Sequence, residues 1–189
     1  MDIAPDKHER ILAAAARLVV RNGLQCSMAA IAEEAGVATG SLYNYFESKE
    51  ALVRGLYDRV AMQMTEALVV PDDLEPDPGQ RVRNYFARYV DFIWEDAERA
   101  QLFNYLDNAP LISGSDAARI FGPLVAHGRQ LVEAAQAEGL VKPGSPGLMI
   151  SFVRGAVRNM LKHRRYDSTA LGAQEREHLT AMCWDAIRI

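Results

Sequence analysis

Apolar residues recur at helical spacing along most of the chain, and no alternating run bounded by hairpin turns interrupts them. In the first segment Ile11, Ala15, Leu18 and Asn22 share one stripe, with Leu12 and Val19 beside it. Asp6 followed by Glu9 has the form of a capping box with Asp in the cap role, which predicts a helix from there to about Asn22. Gly23 is expected to end it as a left-handed cap. Ser27 is placed to cap a second helix over 28–35, and Ser48 to cap another that begins at Lys49 and runs to Val69 or Val70. The segment PDDLEPDPG at 71–79, with three prolines and four acids, reads as a loop or linker. Beyond it the pattern predicts a helix over 80–95 through Val82, Tyr85, Phe86, Tyr89, Val90 and Ile93, then a shorter one over 97–107 before Asn108-Ala109-Pro110. Helices over 115–138, 147–164 and 173–187 follow, with Gly122-Pro123 a kink or restart in the first of these. Gly139 and the segment Lys142-Pro143-Gly144-Ser145-Pro146-Gly147 break the chain between the first two. The fold class is all-α, with no internal repeat and no low-complexity tract.

The stretch Ile31–Leu52 has a special form. Ile31, Ala32 and Ala35 lie on one helical face, and Gly36 supplies a turn residue that tolerates positive φ. Val37 and Leu42 anchor a second helix across the first. A helix-turn-helix needs a small residue where its helices touch, here Ala32, and a glycine four residues later. It also needs an apolar residue on the buried face of the second helix, here Leu42, ten residues after the alanine. The second helix is expected over 39–46. Thr39, Gly40, Ser41, Tyr43 and Asn44 suit an exposed face that reads DNA, whereas Leu42, Tyr45 and Phe46 suit the core. Asn44 has the donor–acceptor pair that recognises an adenine edge, Thr39 or Ser41 suits a thymine methyl or a phosphate, and Gly40 permits close approach. Two roles stand open for Ser27: capping its helix, or presenting its hydroxyl and backbone N–H to a phosphate.

Gly40, Leu42, Tyr43, Tyr45, Phe46, Ser48, Lys49, Glu50 and Leu52 resemble the recognition helix and the start of helix 4 in the TetR family of bacterial transcriptional regulators. The resemblance extends back through Gly23, Leu24, Ile31, Ala32, Ala35, Gly36 and Val37, and covers roughly residues 8–55. Ala38 departs from it, standing where the family often has a serine that caps the recognition helix; Thr39 is expected to take over part of that role. The resemblance implies a three-plus-six arrangement of nine helices. It divides the chain into a DNA-binding domain over 1–50 and an effector-binding and dimerisation domain over 51–189, with helix 4 shared. It also implies that Tyr43 and Lys49 hold phosphates. Lys49 stands in the first turn of its helix, where the dipole disfavours a cation, and an external anion would remove that penalty.

Charge adds nothing to this picture. The formal net charge is −4, and residues 1–60 carry seven Lys/Arg against eight Asp/Glu, a net of −1. Affinity for DNA must come from a few placed cations, hydroxyls and helix N-termini. Cys26 and Cys183 fit neither a metal pattern nor a disulfide framework, as expected of reduced thiols in a cytoplasmic protein. His8, His127, His163 and His178 show no metal spacing, and there is no phosphate-binding glycine loop or nucleophile motif. The expectation is therefore of no enzyme activity, no metal and no cofactor. The charged start MDIAPDKHER does not resemble a signal peptide, and no apolar run is long enough to span a membrane.

The helix over 147–164 is apolar nearly all round, so it must be covered on two sides, by its own core and by a second subunit. With the last helix it resembles the family's helix-8/helix-9 dimer interface. The candidates there are Phe152, Gly155, Ala156, Asn159 and Trp184. A two-fold dimer implies a palindromic DNA operator. An aromatic-rich region resembles the family's effector pocket, with Phe86, Tyr89, Phe103, Asn104, Asp107, Phe121 and His127 as candidates for a small-molecule effector. The whole implies a repressor released when effector binding swings helix 4. The alternative is a dimeric small-molecule sensor or carrier whose helix-turn-helix no longer binds DNA.

Overall fold

The computed structural model describes residues 6–71, 77–108, 111–166 and 170–189. Among them the chain forms nine α-helices: α1 (Lys7–Asn22), α2 (Met28–Glu34), α3 (Thr39–Tyr43), α4 (Lys49–Leu68), α5 (Pro78–Glu95), α6 (Ala97–Asn108), α7 (Gly114–Ala137), α8 (Pro146–Tyr166) and α9 (Ala173–Ile187). A short 3-10 turn, Gly23–Gln25, joins α1 to α2. An isolated antiparallel bridge between Val141 and Arg188 is the sole extended pairing among the described residues. The middle of the expected linker, residues 72–76, lies outside the described residues, as do 109 and 110. α7 continues through Pro123 as one helix, so the proline removes a single N–H without ending the element.

The contacts group the chain into two compact units, Met1–Met62 with Ala97–Ile120, and Gln63–Asp96 with Phe121–Ile189. In the first unit α1 packs on α2 and α6, and buries Ile11, Leu12, Ala15 and Val19. Ile31 and Ala32 of α2, Leu42 of α3, and Leu52 and Leu56 of α4 are buried with them. Gly36 turns the chain at φ 64°. Gly23 has φ 64° and ψ −166°. It is thus not the expected left-handed helical cap but an extended positive-φ conformation reserved for glycine. The expected Asp6/Glu9 capping box is not formed. Asp6 stands at the N-cap but makes no side-chain cap bond. Glu9 instead accepts from Arg59 Nε at 2.6 Å.

α3 is shorter than its sequence pattern. It closes after Tyr43, and the backbone then tightens: Asn44 N–H donates to Ser41 O at 3.3 Å and Tyr45 N–H to Leu42 O at 3.0 Å. This turn directs Tyr45, expected in the core, outward to 42% exposure, while Phe46 stays buried. At the other end of α3, Ala38 is the N-cap, in extended conformation and without a side-chain bond. Thr39 lies inside the helix and does not supply the missing cap.

In the second unit α5 buries Val82, Tyr85, Phe86, Tyr89, Val90 and Ile93, and packs on α8 and α9. A Cβ on Gly128 of α7 would lie 3.2 Å from Tyr85 Oη, so the glycine lets α7 close on α5. α8 buries Ile150, Val153, Val157 and Leu161, and α9 buries Leu179, Cys183, Trp184 and Ile187. Burial pushes the Cys183 thiol up to about 11.

Two substitutions test this packing. An alanine in a helix interior normally gains about 0.5–1 kcal/mol over glycine. At Gly55 its Cβ would meet Phe46 Cε1 at 2.9 Å and Leu12 Cδ2 at 3.1 Å. Phe46 is backed by the His8 ring, stacked at 4.9 Å, and has little room to yield. Gly55→Ala should therefore destabilise by about 1 kcal/mol in urea denaturation, overpacking outweighing propensity. Ala38→Ser should stabilise by about 0.5–1 kcal/mol in the same assay by supplying the absent cap of α3.

Candidate nucleic-acid interface

With only Leu42 of α3 buried, the helix is rolled so that its remaining side chains face outward. Thr39, Gly40, Tyr43 and Asn44 are exposed, Tyr43 to 49%, and Ser41 is half-buried. No described atom lies within 4 Å of where a Gly40 Cβ would stand, so packing within the chain does not require this glycine. Arg10 of α1 holds the turn before α3, its Nη2 donating to the carbonyls of Ala35 at 2.8 Å and Gly36 at 3.0 Å. Sequence patterning did not single out Arg10, because its partners are 25 and 26 residues away.

Ser27 and Ser48 cap their helices as expected. Ala30 N–H donates to Ser27 Oγ at 3.1 Å, and Ala51 N–H to Ser48 Oγ at 3.1 Å. Capping uses the hydroxyl oxygen of Ser27 as an acceptor and leaves its proton to donate elsewhere, so capping and contact with an external acceptor are compatible. At the start of α4 the Glu50 carboxyl is held below its usual value by its own backbone N–H and then by the Ser48 hydroxyl. That follows from a carboxylate at a helix N-terminus.

Lys49 is half-buried, and its ammonium donates to the Leu24 carbonyl in the turn after α1. The N–H of Leu24 in turn donates to the Tyr105 hydroxyl on α6 at 3.1 Å. Neither partner was expected. The one sequence clue is Gly23, where a Cβ would come within 3.2 Å of the Tyr105 oxygen. Other cations in this unit also have partners within the chain. Arg17 Nε pairs with Glu34 Oε1 at 2.9 Å, and Arg59 with Glu9. Such exposed pairs contribute little stability, but they offset part of the positive charge of the head.

The seven effector candidates fall into two groups. Phe103, Asn104 and Asp107 are on α6 in the first unit: the phenylalanine is buried, Asn104 half-buried and Asp107 exposed. Phe86 and Tyr89 of α5 are fully buried in the second unit, with Phe121 and His127 of α7 half-buried there. Two residues of that unit were not anticipated. Tyr85 is fully buried, and its hydroxyl has no hydrogen-bond partner among the described residues. Its ring lies 6.2 Å from that of His127, and burial pushes its phenol above the usual value. The Arg154 guanidinium of α8 lies 5.2 Å from the Tyr89 ring centroid, with Nη2 4.0 Å from Met64 Sδ.

Of the dimer candidates, Phe152 is 61% exposed, Asn159 is exposed, and Gly155 and Ala156 are half-exposed. Trp184 is placed differently. It is only 7% exposed and lies beneath the Arg83 guanidinium, 4.6 Å from the ring centroid, so its own chain already covers it. Among the described residues no group of three or more His, Cys, Asp or Glu side chains is placed to hold a metal ion. No described helix is long and apolar enough to cross a membrane.

Residues 11–56 match the family model of bacterial regulatory proteins of the tetR family. An uncharacterized HTH-type transcriptional regulator of Haemophilus influenzae is 45% identical over 56 residues, a match spanning 29% of this chain and 30% of that protein. Across nearly the whole chain the fold is similar to that of a TetR family transcription regulator from Marinobacter aquaeolei VT8, with a TM-score of 0.85, 22% identity and coverage of 96% of this chain and 95% of the other. A TetR-family transcriptional regulator from Haemophilus influenzae gives a TM-score of 0.80 at 23% identity, covering 97% of each chain. Residues 11–56 thus carry a helix-turn-helix of the tetR-family type, and the chain as a whole has the fold seen in solved TetR-family regulators.

Proposed function

We propose that this chain is a cytoplasmic repressor that binds a palindromic operator as a homodimer and is released by a small-molecule effector. The observation that carries the DNA-binding part is the outward face of α3. A five-residue helix with one buried anchor, together with its C-cap, presents Thr39, Gly40, Tyr43 and Asn44 on the surface, and the helices on either side of it in the chain, α2 and α4, have N-termini capped by Ser27 and Ser48. Ser27, Ser41, Tyr43 and Lys49 position the head on phosphates, and Asn44 reads a base edge.

The dimer is supported by the two faces of α8. Ile150, Val153, Val157 and Leu161 are buried along one, while Leu148 at 71%, Phe152 and Met160 are exposed along the other. Met182 of α9 is exposed as well, beside a groove of about 610 Å³ lined by residues of α8 and α9 including Asn159, His163 and His178. Large exposed apolar side chains at this density mark a surface that another chain covers. For the effector we favour the second unit, which holds the candidates Phe86, Tyr89, Phe121 and His127 and in which Tyr85 lies near His127 and Arg154 over Tyr89. A ligand there would release DNA only as far as it prefers the low-affinity state; about 10⁴-fold preference takes an equilibrium from 1:99 to 99:1.

In-vitro selection of duplex DNA should recover a two-fold symmetric site. On it, Asn44→Ala should cost about 1–3 kcal/mol and relax preference at one position of each half-site. Lys49→Ala should weaken all sequences alike and lower the salt slope by about one per protomer. If both variants bound as the parent does, the assignment of these residues would be wrong; recovery of no preferred sequence would favour the sensor or carrier alternative. Phe152→Glu should yield a folded monomer in sedimentation experiments, with operator affinity reduced by at least about tenfold through loss of the second head.

A further inference from the structure

One residue of the α1–α2 turn is gripped from two sides within the first unit. The Leu24 N–H donates to Tyr105 Oη of α6 at 3.1 Å, and the Leu24 carbonyl accepts from the ammonium of Lys49, the first residue of α4. These groups belong to the two peptide planes joined at the Leu24 Cα, so fixing one plane restricts where the other carbonyl points. Tyr105 reaches the turn because residue 23 has no Cβ, which would otherwise crowd the phenol oxygen at 3.2 Å. The same glycine takes a φ of 64° and ψ of −166°, a conformation closed to other residues.

The Leu24 carbonyl solves a problem for Lys49. An ammonium in the first turn of a helix faces the positive end of the dipole, and its long stem has many rotamers. A carbonyl acceptor offsets the first effect and selects among the second. An ammonium has three protons; one is given to Leu24, and two remain for an external anion.

We infer that Tyr105 is a positioning residue for Lys49, acting through Leu24, so that α6 sets how firmly the head holds a DNA phosphate. The inference rests on the proposed phosphate contact of Lys49. α6 meets the head at the next residue too: the Leu106 carbonyl accepts from Tyr57 Oη of α4 at 2.7 Å. Adjacent residues of α6 therefore touch the α1–α2 turn and the middle of α4, and a shift of α6 is felt at both.

The test uses the full chain and the duplex recovered by in-vitro selection. Binding is measured across a salt series for the parent, Tyr105→Phe, Lys49→Ala and the double variant, with urea midpoints for each. Tyr105→Phe keeps the ring and removes only the acceptor of Leu24 N–H. It should weaken binding about three- to tenfold, as expected for loss of one hydrogen bond. It should also move the salt slope toward that of Lys49→Ala and leave base preference unchanged. In the Lys49→Ala background it should cause no further loss. If the Tyr105→Phe loss persisted in that background, or only the urea midpoint fell, Tyr105 would be a structural residue and the inference would be overturned. If Lys49→Ala itself left affinity and salt slope unchanged, the phosphate contact would fail, and the inference with it.

Discussion

The burial of Leu42 is the constraint on which the head depends. α3 has five residues, too few to be stable as an isolated helix, and Leu42 is its only buried side chain. That one anchor, set against α2, fixes which way the helix is rolled and hence which residues reach outward. Everything around it keeps the roll unambiguous. Gly36 makes the turn, Arg10 clamps two carbonyls of that turn, and Phe46 is locked between His8 and the bare face of Gly55. A short recognition element is thereby made rigid by its surroundings rather than by its own helical propensity.

The electrostatics follow a similar economy. Arg10, Arg17, Arg59 and Lys49 all have partners inside the head, which carries no excess of positive charge. Attraction to DNA through bulk charge is therefore weak, and the proposed contacts must be few and well placed. Placement is what the structure supplies, through capped helix N-termini and a lysine held by a backbone carbonyl. The proposed dimer would double these contacts, so the second unit serves DNA binding even though none of its residues is assigned to DNA. In that proposal its exposed Leu148, Phe152 and Met160 would be as much a part of the mechanism as Asn44.

What could be read from the sequence was local. The caps at Ser27 and Ser48 depend on a partner three residues away, and both form. The positive φ of Gly36 and the burial of Ile31, Ala32 and Leu42 follow from a spacing contained in one short segment. What could not be read was set by distant partners. Glu9 has the right spacing for a capping box, but Arg59, 50 residues on, takes its carboxylate. Tyr45 continues an apolar pattern, yet the tightened turn after Tyr43 faces it to solvent. Trp184, expected at the dimer interface, is nearly buried within its own chain, with Arg83 of α5 over its ring, a contact that the spacing of α9 alone does not reveal. The contact between Tyr105 and Leu24 spans 81 residues, and its only trace in the sequence is a glycine. Four of the effector candidates rest on aromatic character, which cannot separate a ligand-facing ring from a core ring; Tyr85, fully buried with a hydroxyl that has no hydrogen-bond partner among the described residues, carries no mark in the sequence that sets it apart.

The central claim is that DNA affinity arises from a few fixed contacts per head, doubled by a second subunit, and not from a basic surface. The slope of the log of the association constant against log salt concentration, for the parent chain on its selected duplex, tests it most directly. One or two cationic phosphate contacts per protomer predict a shallow slope of about −2 to −4. A slope of about −8 or steeper would require many more cationic contacts than these, and would contradict the claim.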